Sequence, residues 1–290
     1  MTVHDDSARA PAGASGHLSP VLSAAASAGD LAAVRAAAER FGAIELSVDF
    51  ALDDITPEHV RALRSIGEEH GASFSVHAPF RDVNIASLND GVFEAAKRDT
   101  LRAMDLALGV GAQVLNVHPG IHAYFPADRH PEMKARERDV VEALCRSGQE
   151  GGVRVAIENL IDTNSHFEDT WTLDGLLALV RAVDSPVLGF CLDTGHAHQA
   201  GQDVSAAIRR LAAEESGLGR ARSALFHLHV HDNHGGPIDE HLPLTEGSIG
   251  WSDVVRTLNE VGFDGRVVFE NRGLERQELA RGRWEAMVAG

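Results

Sequence analysis

From Leu18 onward, short apolar runs alternate with longer amphipathic stretches, and this alternation most constrains what the 290-residue chain can fold into. Runs such as Val153-Arg-Val-Ala-Ile-Glu158 are rich in β-branched residues, as strands covered by helices should be. The pattern predicts eight strands, at about 19–24, 43–48, 73–77, 113–118, 153–158, 187–193, 225–231 and 266–270. A helix should follow each, at roughly 30–41, 57–70, 90–110, 131–149, 172–183, 202–215, 251–261 and 275–288. Thr56-Pro57-Glu58 and Ser252-Asp253 carry helix-start signals. Eight such units in a chain of this length predict one α/β domain, a closed (β/α)8 TIM barrel over 18–290. Its active site should lie at the C-terminal ends of the strands, beneath the longer loops 78–90, 119–130, 159–171 and 232–250. No glycine-rich phosphate loop follows any strand, which counts against an open nucleotide-binding sheet.

Composition enters where it excludes function classes. With 26 Lys plus Arg against 43 Asp plus Glu, the net charge is −17, which repels polyanions and argues against nucleic-acid or membrane partners. Only Cys145 and Cys191 are present, so no disulfide framework exists and a cytoplasmic location is expected. Residues 1–17 have neither a basic start nor an apolar run, and read as a disordered N-terminal tail. No apolar stretch approaches the about 20 residues of a membrane helix.

The chemistry shows in where His, Asp and Glu fall. His77, His118, Glu158, Asp193, His229 and Glu270 sit at or near the ends of six successive strands, so all should reach one rim. A lone histidine at a strand end is ordinarily a hydrogen-bonded structural residue. Six ionisable groups in a row need metals, partners or water to offset their burial, and metal binding is the expected answer. His196, three residues after Asp193, and the pair Asp239 and His241 extend the set toward more than one ion. Mixed imidazole and carboxylate donors suit Zn²⁺ or Mn²⁺, one to three per chain, better than Mg²⁺ or Ca²⁺.

Several motifs as they stand here resemble the xylose isomerase-like TIM-barrel superfamily. They are Ser75-Val-His77-Ala-Pro-Phe, Asn116-Val-His118-Pro-Gly, Ala156-Ile-Glu158-Asn, Gly189-Phe-Cys-Leu-Asp193-Thr-Gly-His196, His229-Val-His-Asp-Asn, Asp239-Glu-His241-Leu-Pro-Leu-Thr-Glu-Gly-Ser-Ile-Gly-Trp251 and Val268-Phe-Glu270. The superfamily includes sugar and sugar-phosphate isomerases and epimerases, and endonuclease IV. The resemblance to the single-metal epimerases implies an ion on Glu158, Asp193, His229 and Glu270. The resemblance to endonuclease IV implies three zinc ions, on those four with His77, His118, His196, Asp239 and His241. Gly195 stands where the endonuclease pattern prefers cysteine, and the segment after His77 also departs from it. On strand seven, His229 matches the family pattern, His231 competes with it, and His227 reads as a core residue.

Two mechanisms fit one ligand set. In an isomerase or epimerase, Glu158 and Glu270 exchange a proton with a metal-acidified carbon, and His196 binds a substrate oxygen. In a phosphoester hydrolase, clustered ions activate water, and the donors surplus to the first scheme find a use. Few loop cations (Arg81, Arg129, Arg272) and few loop aromatics favour a small polyhydroxy or phosphorylated substrate over DNA. Phe80, Arg81, Asn159, Trp251 and Arg272 are the substrate-binding candidates. A non-catalytic metal- or sugar-binding barrel is the third reading, and a homodimer is compatible with the fold.

Overall fold

A computed structural model describes residues 19–49, 51–121, 126–161, 172–214 and 223–290; the expected tail lies outside them. Eight parallel strands close into a barrel in sequence order. They are β1 Val21–Ser27, β2 Ala43–Ser47, β3 Ser73–His77, β4 Val114–Val117, β5 Arg154–Glu158, β6 Leu188–Asp193, β7 Leu225–Val230 and β8 Arg266–Phe269. The helices among the described residues are α1 Leu31–Phe41, α2 Pro57–His70, α3 Asp90–Val110, α4 His130–Gly151, α5 Leu173–Val183, α6 Thr194–Gln199, α7 Val204–Ala212, α8 Trp251–Glu260 and α9 Leu274–Ala289. None is long and apolar enough to cross a membrane.

Local chemistry sets many of these boundaries. Asp30, Thr56, Asn89, Thr172 and Asp203 each accept a backbone N–H with their side chains and start the helix that follows. Gly42 (φ 66°) ends α1 one residue before β2, a left-handed geometry that disfavours any residue with a Cβ. Two departures from the sequence pattern have clear causes, the first tertiary and the second local. Strand β1 runs on through Ala25–Ser27, small residues of no strand preference, because they pair with Glu45–Ser47 of β2. The short helix α6, in a stretch without helical periodicity, begins where the Asp193 carboxylate accepts the amide of His196 at 2.7 Å.

Apolar packing fills the layer between barrel and helices, with Ile44, Leu46, Leu63, Ile66, Leu115, Leu144 and Ile157 fully or almost fully buried. The lumen, by contrast, is polar. Strands β2 and β7 are not neighbours in the ring, so the 2.7 Å bond between His227 Nε2 and Glu45 Oε2 crosses the interior. Arg266 on β8 spans the lumen likewise, donating to Ser23 Oγ at 3.2 Å, Ser73 Oγ at 3.0 Å and Gln113 Oε1 at 3.2 Å. Its burial lowers the guanidinium pKa to about 10. Arg266 therefore acts as a cationic plug in the lumen, its charge met by neutral oxygens.

Arg266→Ala should leave these acceptors without their donor. We expect a loss of about 3 kcal/mol in urea denaturation with an unchanged slope. A variant within about 0.5 kcal/mol of the wild type would show that the plug is dispensable.

Candidate active site and metal centre

The C-terminal ends of β3 to β8 bring the expected donors into one cluster. Glu158 is its hub, at 1% exposure. Its Oε2 lies 3.4 Å from His77 Nε2 and 3.3 Å from His118 Nε2. Its Oε1 lies 3.2 Å from His229 Nδ1 and 3.6 Å from His196 Nδ1. Asn116 Nδ2 donates to Oε2 from below. The same His229 nitrogen is 3.1 Å from Glu270 Oε1, so Glu158 and Glu270 meet at one imidazole. Asp239 Oδ2 lies 2.7 Å from His241 Nε2 and 3.9 Å from His196 Nε2.

The imidazoles are held in a manner that suits metal ligands. A carbonyl oxygen can only accept, so the Nδ1 of His77 donates to Ala78 O at 2.7 Å, that of His196 to Asn159 O at 2.9 Å and that of His241 to Glu270 O at 2.8 Å. Each bond orients the ring and turns its Nε2 toward the carboxylates of the cluster. The backbone of His241 sits at φ 49°, an uncommon value for a residue with a side chain. The paired backbone bonds between Asp232 and Leu242 and the Nδ1 bond to Glu270 O hold it there. Several buried donor atoms make no hydrogen bond with a described residue: Asp193 Oδ2, His229 Nδ1, both nitrogens of His231, and Asp239 Oδ1. Buried polar atoms are ordinarily satisfied, so these orphans, all at the cluster, fit divalent ions. Donor triads within binding distance of one another include His77–Glu158–His229, Asp193–His196–His231 and Glu45–His229–Glu270.

The charges balance one another. Burial raises Glu158, but His229 and His118 outweigh it and hold the carboxyl well below its usual range. Asp193 is likewise raised by burial, yet His196 and His231 bring it down to about 2. Burial lowers His77 and His196, but Glu158 lifts the first to about 9, and Asp193 and Asp239 lift the second to about 10. His118 goes the other way, because loss of water outweighs Glu158.

Above the cluster lies a cavity of about 450 Å³. His77, His118, Glu158, His196, Asp239, His241 and Glu270 line it, together with Phe80, Arg81 and Arg272. Phe80 lies against the His118 ring at 4.6 Å, and Asp49 holds the Arg81 guanidinium at 2.8 Å. Two substrate candidates are placed elsewhere. Asn159 is fully buried, and its amide clips both the N–H (2.8 Å) and the carbonyl (3.0 Å) of Asp193. Trp251 is buried at the start of α8, where its indole donates to Asp232 Oδ2 at 2.9 Å, so it secures the loop after β7 and does not wall the cavity. Of the loop aromatics, Tyr124, Phe125, Phe167 and Trp171 lie outside the described residues.

Sequence reasoning missed Glu45. It projects from the middle of β2, 1% exposed, and reaches His229 Nε2 at 2.8 Å, His227 Nε2 at 2.7 Å and Ser75 Oγ at 2.8 Å. It thus supports His229 from below while Glu158 and Glu270 approach from above. The available signal was a charged residue inside the apolar run Ala43-Ile-Glu45-Leu-Ser47.

The chain belongs to the xylose isomerase-like TIM barrel family, whose sequence model matches residues 32–285. It is 29% identical over 220 residues to an uncharacterized protein of Methanocaldococcus jannaschii, covering 76% of this chain and 71% of that one. It is 28% identical to a probable endonuclease 4 of Nitratidesulfovibrio vulgaris, over 70% of this chain and 72% of the relative. Among solved structures, a D-tagatose 3-epimerase-like protein superposes with a TM-score of 0.81 at 25% identity, over 92% of this chain and 97% of that one.

Two outcomes follow from the charge balance and from Glu45. His77 and His196 have pKa values raised above the ordinary 6.5, so the stability they confer when protonated is complete below that value and lost as pH rises through about 9 to 10. Chelator-treated protein should therefore melt at lower temperature as pH rises from about 7 to 10, and Zn²⁺, which needs unprotonated imidazoles, should shrink that dependence. A flat melting profile in scanning fluorimetry would contradict this assignment. Glu45→Gln should weaken Zn²⁺ binding by about 10-fold in competition with a chromophoric chelator, because the support of His229 is altered while its ring remains.

Proposed function

We propose that the protein is a divalent-metal-dependent isomerase or epimerase acting on a small sugar or sugar phosphate. The observation that carries this reading is the approach of Glu158 and Glu270, from β5 and the end of β8, to one His229 nitrogen at 3.2 and 3.1 Å beneath a cavity of about 450 Å³. That volume is in the range of small-molecule sites. Glu158, Asp193, His229 and Glu270 would hold the ion, with Zn²⁺ or Mn²⁺ matching the donors. Bound there, the ion would supply the Lewis acidity that acidifies a carbon beside a carbonyl. Glu158, ionised despite burial, removes the proton from that carbon. Glu270 returns a proton, on the opposite face for an epimerisation, and the two carboxyls end the turnover with their protonation exchanged. His196, lining the same cavity, is placed to hydrogen-bond a substrate oxygen. Arg272, a cation among the lining residues, suits one anionic group, with Arg81 beside it already paired to Asp49. The likeness to a D-tagatose 3-epimerase-like protein over nearly the whole barrel supports the reading.

A multinuclear phosphoester hydrolase is the second reading. It is favoured by His77, His118, Asp239 and His241, which are surplus to a single ion, and by a relative named as a probable endonuclease 4. DNA is the less suitable substrate for such chemistry here, because two lining arginines are few for a phosphate backbone and Arg81 is already paired with Asp49.

Zinc- or manganese-loaded protein should be incubated with ketoses and their phosphates in D2O and followed by NMR. Deuterium should appear at the carbon beside the carbonyl, and Glu158→Gln and Glu270→Gln should each slow its incorporation by about 100- to 10,000-fold. Cleavage of phosphodiesters by the same preparation, with no exchange on any sugar, would reverse the order of the two readings.

A further inference from the structure

His231 has no role in either scheme above, yet its surroundings are those of a ligand. The residue is fully buried. Neither ring nitrogen makes a hydrogen bond with a described residue. Its Nε2 lies 3.2 Å from Asp193 Oδ1 and 3.7 Å from Asp239 Oδ1, and its ring stacks on His241 at 4.1 Å. Donor atoms of Asp193, His196 and His231 all fall within 4.8 Å of one another. The neighbouring main chain is shaped around this ring: a Cβ on Gly195 would sit 1.9 Å from His231 Cε1. Glycine at 195, the departure from the endonuclease pattern seen in the sequence, therefore leaves the space that the imidazole fills.

We propose that His231 is a metal ligand, joining Asp193, His196 and Asp239 in a second divalent-ion site beside the one used for proton transfer. This rests on the metal-dependent reading above and deepens it. Two imidazoles and two carboxylates make a four-donor set that suits Zn²⁺. With Asp239 on the loop after β7 and His196 at the start of α6 among its donors, this site would anchor that loop, and His196, whose Nδ1 is held by Asn159 O, would spend its Nε2 on the ion rather than on a substrate oxygen. Asp193, with Oδ2 unpartnered and Oδ1 facing His231, can serve both sites.

The test uses full-length chelated protein reloaded with Co²⁺ or Zn²⁺, comparing wild type with His231→Gln and Gly195→Ala. The first variant removes the ligand; the second keeps every donor and pushes the ring aside. The wild type should take up at least two equivalents, the second adding its own visible cobalt absorption as it binds. Both variants should lose that band and bind that equivalent about 100-fold more weakly, while keeping the other equivalent and an unchanged circular dichroism spectrum. If either single variant does not fold, Gly195→Ala/His231→Asn, where a smaller amide makes room for the methyl, should show the same loss. Variants with wild-type equivalents, affinities and cobalt spectrum would overturn the proposal and leave His231 a structural partner of Asp193. A wild type with only one equivalent would overturn it too, leaving the proton-transfer reading intact, whereas a wild type with none would overturn both.

Discussion

The site depends on mutual charge compensation between carboxylates and imidazoles buried at the barrel mouth. Glu158 is almost completely enclosed, and an unpaired carboxylate there would be driven toward its neutral form. His229, His118 and His77 keep it ionised, and Glu45 and Glu270 in turn hold His229 in its charged form. No member can be removed without stranding another. Such a network is also primed for divalent ions, which can take the place of imidazole protons among the same carboxylates.

Strand β7 distributes this network by height. Its alternate residues face the lumen, and the alternation runs one residue past its end: His227 bonds to Glu45, His229 touches Glu45, Glu158 and Glu270, and His231 faces Asp193 and Asp239. A period of two residues thus carries one side-chain type through three environments. Burial lowers His227 to about 4 despite its carboxylate neighbour, whereas Glu158, Glu270 and Glu45 raise His229 against the same burial. The deepest ring therefore serves as a neutral structural partner and the middle one as the junction of the site.

The same donors admit proton-transfer and hydrolytic chemistry, and the cavity is what separates them. Its charged lining is dominated by acidic residues and histidines, with Arg81 tied to Asp49, so it can accept one small polar molecule more readily than a polyanion. The family membership is compatible with both activities.

How much was legible in the sequence follows from which interactions are local. Strand-and-helix alternation and the donors near six strand ends are periodic signals, so the closed barrel and most of the cluster could be read without coordinates. The role of Glu45 could not, because a charged residue inside an apolar strand marks itself without naming its partners, and His227 and Ser75 lie 182 and 30 residues away. Trp251 follows a glycine-rich run, which suits a cavity wall and a helix start equally; only the fold places it at the start of α8 with its indole on Asp232. Alternation likewise placed His229 and His231 on one face without deciding between them, and the structure gives each its own carboxylates. The sequence alone determined the eightfold architecture and the kinds of side chain gathered at its rim, since both are written in residue type and spacing. Only the tertiary structure decided which donors share an environment, because ring closure brings strands distant in sequence across a lumen a few ångströms wide.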